Sequence, residues 1–176
     1  SHWLEAMLAR ATDLHACGEV YFPRGLLDTL PLGADVEFFV HAVLALHTGR
    51  SGPDLVHGRF VNSAHVGDVS RVAGRTPGAL KVLLVRHPVD IVMSRTLRKP
   101  EYRQDVAPDL DDRAYLERNC QAVERFYRGA AQESFDATLR YEDLLARPAE
   151  TLAALIERLG MATTPEALAQ AVESTS

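Results

Sequence analysis

The sequence predicts an α/β fold in which a central parallel sheet is flanked by helices. Segments with strand character alternate along the chain with segments whose apolar residues follow helical spacing. The segment 80–86 is, in addition, a continuous apolar run of the kind found in parallel sheets that are covered on both faces. In such folds, ligands bind at the carboxyl ends of the strands.

The first half of the chain predicts two helices and two strands. A short helix is expected at residues 3–8, where the apolar residues share one face, and the run GEVYF predicts a strand at 18–22. The segment 36–46 carries apolar residues at helical spacing and ends before the turn-forming sequence HTGRSGP. The run RFVNSAH then predicts a short buried strand at 59–65.

The second half repeats this alternation. The strand 80–86 leads to Pro88, a residue that suits the first turn of a helix. The segment 99–112 is rich in proline and acidic residues without periodicity and predicts a surface loop, whereas the apolar stripe at 112–129 predicts a long helix. The last strand, 137–144, leads through a proline into a final helix that a glycine closes.

Size and composition restrict the function. A chain of 176 residues suits a single domain spanning residues 1–176. The net charge of -5 argues against a protein that coats nucleic acid or an anionic membrane, and no apolar run approaches the roughly 20 residues that span a bilayer. The two cysteines lack CxxC spacing and no HExxH pair is present, so we expect a reducing, cytoplasmic location and no metal site.

The segment LKVLLVRHPVDIVMS carries the strongest chemical signal. It places Arg86 at the carboxyl end of a strand and Ser94 two turns into the following helix. Metal-dependent P-loop enzymes usually have an acidic residue at the comparable strand end, where it serves the magnesium ion. A guanidinium there favours a phosphate that is held directly, with the hydroxyl as a further donor. The plainer interpretation is that Arg86 pairs with Asp90 or a neighbouring acid and that Ser94 is a residue on the helix surface.

The pattern RxPxDxxxS after an apolar strand resembles the second cofactor motif of the PAPS-dependent sulfotransferases. That family moves a sulfuryl group from 3'-phosphoadenosine 5'-phosphosulfate (PAPS) to a hydroxyl or amine and leaves PAP as product. The resemblance implies a P-loop nucleotide-hydrolase-like architecture. It also implies that Arg86 and Ser94 bind the 3'-phosphate without a metal.

Two further segments are similar to the same family. LRYEDLLARPAETLAALIERLGM resembles its late strand and helix, and implies that Tyr141 lies near the adenine. SHWLEAML resembles the helix after its first phosphate loop, and implies that Ser1 and His2 line the 5'-phosphosulfate while Trp3 stacks on the adenine. An alternative is that Ser1 and His2 derive from a purification tag and that Trp3 is a core anchor.

The strand and the lysine of the family's first phosphate loop have no counterpart in this sequence. The resemblance therefore predicts a chain that is incomplete at its N-terminus and that is not a competent enzyme by itself.

In-line sulfuryl transfer requires a base near the acceptor hydroxyl. His65, at the end of VNSAH, lies where the family often carries its catalytic histidine, and Glu19 in ACGEVYF resembles the glutamate base of some members. The resemblance implies a role for both and leaves open which of them takes the proton. Residue type alone favours plainer interpretations: His65 as a loop histidine whose hydrogen bonds are satisfied, and Glu19 as a solvated acid at the start of a strand.

The resemblance implies a small-molecule, lipid or carbohydrate acceptor. Two other functions compete with sulfuryl transfer. One is a P-loop kinase-like phosphotransferase that uses ATP with magnesium. The other is a catalytically silent nucleotide-binding or interaction module.

Overall fold

The computed structural model describes residues 2–22, 34–64, 72, 76, 78–97 and 100–174. Up to residue 64, the elements are helix α1 (His2–Ala11), strand β1 (His15–Ala16), helices α2 (Ala34–His47) and α3 (Asp54–His57), and strand β2 (Phe60–Val61). From residue 78 onward, they are strand β3 (Val82–Val85), helices α4 (Pro88–Leu97), α5 (Pro100–Val106) and α6 (Asp112–Ala130), strand β4 (Ala137–Arg140), and helices α7 (Tyr141–Ala146), α8 (Pro148–Arg158) and α9 (Pro165–Glu173).

The described strands pair in parallel, as the sequence predicts. β1 lies beside β2 with His15 opposite Phe60, and β3 lies beside β4 with Val85 opposite Arg140. Parallel strands need helical or long connections, and α4 to α6 make the connection between β3 and β4. The structure is therefore an α/β fold, and within each pair the two carboxyl ends lie at the same edge.

The main core holds α1 against both pairs of strands. Met7 of α1, Leu144 of α7 and Leu152 of α8 are fully buried in it. Val61 of β2 and Val82 of β3 pack against the same cluster. Burying a side chain of this size contributes about 1.5 to 3 kcal/mol. The position of α1 relative to the strand ends is therefore fixed by apolar packing.

A second cluster packs α2 against the segment that follows β1. Its buried members among the described residues are Cys17, Phe22, Val36, Val40 and Leu44.

Several element boundaries differ from the sequence prediction. The strand expected at 18–22 lies earlier, because Gly18 adopts a φ of +72° that ends the extended backbone after β1. The sequence YEDL, expected as strand, starts helix α7 directly after β4. Residues 100–106, expected as loop, form α5. Helix α9 was not predicted, although Thr164 caps it by accepting a hydrogen bond from the Ala167 N–H.

The long helices were predicted correctly. α2 and α6 match the predicted segments 36–46 and 112–129 closely, and α8 begins at the proline from which the sequence predicts it. Within the described ranges, no helix combines the length and the hydropathy that crossing a membrane requires.

Candidate functional site

The carboxyl ends of β3 and β4 bring Arg86 and Tyr141 into contact. The two strands pair in register as far as Val85 and Arg140, so the next residue of each strand lies beside its counterpart. The central carbon of the Arg86 guanidinium is 4.7 Å from the centroid of the Tyr141 ring. A cation within about 6 Å of an aromatic ring is attracted by the ring's quadrupole. The strand register thus places a cation on an aromatic platform.

Trp3 extends this platform from the first turn of α1. Its ring meets the Tyr141 ring edge-on, with centroids 5.8 Å apart and an angle of 66° between the planes. Edge-to-face contacts of this kind are favourable for aromatic pairs. Three residues from distant parts of the sequence, Trp3, Arg86 and Tyr141, therefore form one array.

Arg86 has an unsatisfied donor inside this array. Its Nε atom is buried and has no hydrogen-bond partner among the residues that the structure describes, and its guanidinium pairs with no carboxylate there. The ion pair with Asp90, the plainer interpretation of the sequence, is not formed. Tyr127 of α6 donates a hydrogen bond to the Arg86 carbonyl oxygen and so holds its backbone. A buried donor without a partner is costly, and a ligand oxygen would satisfy it.

Ser94 lies on α4, which α6 holds in place. The Tyr115 hydroxyl donates to the Arg95 carbonyl oxygen at 3.3 Å, and the Asn119 amide donates to the Thr96 hydroxyl at 3.1 Å. Ser94 itself is partly buried, and in the described part of the chain its hydroxyl has no hydrogen-bond partner. Both the cation and the hydroxyl of the sequence motif are thus available to a ligand.

Glu142 fixes the backbone next to Arg86. Its carboxylate accepts a hydrogen bond from the His87 N–H at 2.7 Å. This bond and one from its own backbone N–H hold the pKa of Glu142 below its ordinary value of 4.5, and the nearby Arg140 acts in the same direction. The contact continues the register of β3 and β4 beyond the strands and joins the start of α7 to the Arg86 segment.

We expect Glu142→Gln to remove a pH-dependent part of the stability. Because folding lowers the pKa of Glu142, its contribution is present above pH 4.5 and is lost as the pH falls through the lowered value. The difference in free energy of unfolding between the wild type and Glu142→Gln should therefore shrink as the pH falls from 7 to 3. Urea denaturation at each pH measures it, with the exposed Glu157→Gln as the control variant. A difference that stays constant over this range would contradict the role.

The turn after β1 carries Glu19, whose side chain is 40% exposed. The Tyr21 hydroxyl donates to its carboxylate at 2.5 Å. His2 lies between two acids, with Nε2 at 3.8 Å from Glu19 and Nδ1 at 3.6 Å from Glu5. The structure thus brings the predicted residues His2 and Glu19 together.

Glu5 belongs to this cluster and was missed from the sequence. Its side chain is only 4% exposed, and it accepts hydrogen bonds from the Gly18 N–H and from the Ser63 hydroxyl, the latter at 2.8 Å. Burial and the Glu5 charge raise the pKa of the Cys17 thiol to about 11. The available signal was an acid on the buried side of α1, next to Leu4 in the apolar stripe.

Two of the predicted site residues, Ser1 and His65, lie outside the described residues, and their roles stay predictions. Within the described part, no group of three or more His, Cys, Asp or Glu side chains could hold a metal ion. The first turn of α1 contacts both groups of residues, the one around Arg86 and the one around Glu19. Its Trp3 contacts Tyr141, whereas His2 and Glu5 contact the turn after β1.

Comparison with known proteins identifies the family of the chain. A sequence model described as the sulfotransferase family matches residues 30–165, which is most of the chain. The chain belongs to the sulfotransferase family.

The solved structures support the same assignment for the fold. This sulfotransferase chain is similar to the "Sulfotransferase Domain from the Curacin Biosynthetic Pathway", with a TM-score of 0.65 and 16% identity over 95% of this chain and 72% of that chain. The likeness confirms the P-loop-like α/β architecture that the sequence predicts. A comparison with curated protein sequences gave no significant match.

Proposed function

We propose that this protein transfers a sulfuryl group from PAPS to a hydroxyl or amine of a small-molecule, lipid or carbohydrate acceptor. Membership of the sulfotransferase family supports the reaction type. The choice of PAPS as donor depends on one observation. The Arg86 guanidinium contacts the Tyr141 ring, and its buried Nε has no hydrogen-bond partner among the described residues. This is a site for an anion that sits beside an aromatic group.

The donor site consists of residues that fit the parts of an adenine nucleotide. Arg86 and Ser94 would hold the 3'-phosphate through charge-assisted and hydroxyl hydrogen bonds. Tyr141 and Trp3 would contact the adenine through their rings. Ser1 and His2 would line the 5'-phosphosulfate. When bound there, PAPS supplies an activated sulfuryl group.

The acceptor side supplies the base. Glu19 or His65 removes the proton of the acceptor hydroxyl, and the acceptor oxygen forms a bond to sulfur while the bond between sulfur and the 5'-phosphate oxygen breaks. PAP leaves with the bonding electron pair, and the proton remains on the base. Glu19 suits this role because its carboxylate is 40% exposed next to His2.

Two further parts of the proposal concern the whole chain. We propose that residues 1–176 form a single domain. We also place the protein in the cytoplasm, which the free thiols of Cys17 and Cys120 support.

Calorimetry with PAP and with ATP plus magnesium tests the choice of donor. We expect PAP to bind more tightly, because the Arg86 guanidinium and the Ser94 hydroxyl offer direct contacts to a phosphate. A preference for ATP with magnesium would instead favour a kinase-like phosphotransferase.

Transfer is then measured with radiolabelled PAPS and a panel of phenols, primary alcohols and amines. Labelled product from the full-length protein supports the proposal. Tight PAP binding without transfer to any member of the panel, and without PAP release, would favour a catalytically silent module.

A further inference from the structure

We propose that Glu5 is a positioning residue whose buried carboxylate fixes the turn that presents Glu19 to the acceptor. This inference rests on the proposed function and deepens it, since it identifies Glu19 as the base that the fold holds in place. Glu5 does not itself touch the acceptor in this scheme. It acts through its hydrogen bonds to the segments that follow β1 and β2.

The first argument is the position of the two groups that bond to Glu5. Gly18, whose N–H donates to the carboxylate, directly precedes Glu19 in the chain. Ser63, whose hydroxyl donates at 2.8 Å, lies in the segment after β2. One carboxylate on α1 therefore ties together the segments that follow two neighbouring parallel strands.

The second argument is that both neighbours of Glu19 are held. The Gly18 carbonyl oxygen accepts from the Ser63 N–H at 2.8 Å. On the other side of Glu19, the Val20 N–H donates to the Asn62 side chain at 2.8 Å, and the Asn62 amide donates back to the Val20 carbonyl oxygen at 3.1 Å. The backbone around Glu19 is fixed while its carboxylate stays accessible, which is what a general base requires.

The third argument concerns the residue type. A carboxylate has two oxygens and can accept from an N–H and an O–H at once. Burying such a group is unfavourable unless its hydrogen bonds are satisfied, and both bonds of Glu5 go to the segments around Glu19 and Ser63. Gly18 has a φ of +72°, a conformation that glycine adopts without a steric penalty, so the chain can turn after β1 where the Gly18 N–H donates to Glu5.

The test compares Glu5→Ala with the isosteric Glu5→Gln and with Asn62→Ala in the full-length protein. Glutamine keeps an oxygen for the Gly18 N–H, and its amide can donate to the Ser63 hydroxyl, so it should preserve the turn. We measure PAP affinity by calorimetry and turnover as PAP release from PAPS with the panel of phenols, primary alcohols and amines. Glu5→Ala should lower kcat by about 10- to 100-fold while the Kd for PAP stays within about twofold.

Glu5→Gln should restore most of this loss, and Asn62→Ala should lower kcat in the same way as Glu5→Ala. An unchanged kcat in Glu5→Ala would overturn the inference, as would a Glu5→Gln variant that folds but is as slow as Glu5→Ala. If Glu5→Ala does not fold, Asn62→Ala decides, and an unchanged kcat there overturns it.

Failure of the proposed function would look different. In that case, the wild type itself would release no PAP from PAPS. An active wild type with an unaffected Glu5→Ala variant contradicts only the positioning role.

Discussion

Replacement of Arg86 by alanine is expected to weaken PAP binding by about 1.5 to 3 kcal/mol, or about 10- to 150-fold. The reason is that its buried Nε has no partner within the described ranges, so binding supplies a charge-assisted hydrogen bond without breaking one inside the protein. Tyr141 contacts one face of the guanidinium. Calorimetric titration with PAP measures the loss.

The matched variants separate charge from geometry. Arg86→Lys keeps the positive charge but lacks the planar fork and the Nε donor, so its PAP affinity should fall between the wild type and Arg86→Ala. Arg113→Ala removes an exposed arginine that pairs with Glu117 on α6 and should leave PAP binding unchanged. Equal PAP affinities of the wild type and Arg86→Ala, with both proteins folded, would refute the donor site.

The position of Arg86 could be predicted because it depends on local sequence. A continuous apolar run defines β3, and the strand ends where the polar sequence Arg86–His87 begins. The contact with Tyr141 depends on how β3 pairs with β4, whose residues lie 55 positions further along the chain. Periodicity does not encode that register, so only the resemblance to a family placed Tyr141 in the site. In the structure, the register of β3 and β4 continues one residue beyond the strands and so brings Tyr141 beside Arg86.

The Glu5 cluster could not be predicted from the sequence. Its hydrogen bonds join residues 13 and 58 positions apart, and they depend on how α1 packs against the segments that follow β1 and β2. The predicted end of β4 was wrong for a related reason. A short segment such as ATLRYEDL fits both a strand and the start of a helix, and tertiary packing decides between them.

Stability and the donor site are coupled through α7. This helix starts at Tyr141, whose ring contacts the Arg86 guanidinium, and its Leu144 is completely buried in the main core, to which α1 and α8 also contribute. The same core fixes α1, whose first turn carries Trp3. Packing of the core therefore sets the distance between the two aromatic rings of the donor site.

Adjacent leucines of α7 provide a direct test of this coupling, because Leu144 is 0% exposed and Leu145 is 55% exposed. Leu144→Ala should lower the free energy of unfolding by about 2 to 5 kcal/mol, since it leaves a cavity in the main core. Leu145→Ala should change it by no more than about 0.5 kcal/mol. Urea denaturation measures both variants. Because Tyr141 lies one helical turn before Leu144, Leu144→Ala should also weaken PAP binding under conditions in which it stays folded, whereas Leu145→Ala should not. Equal destabilisation by the two variants would mean that α7 does not pack on the core as the structure shows.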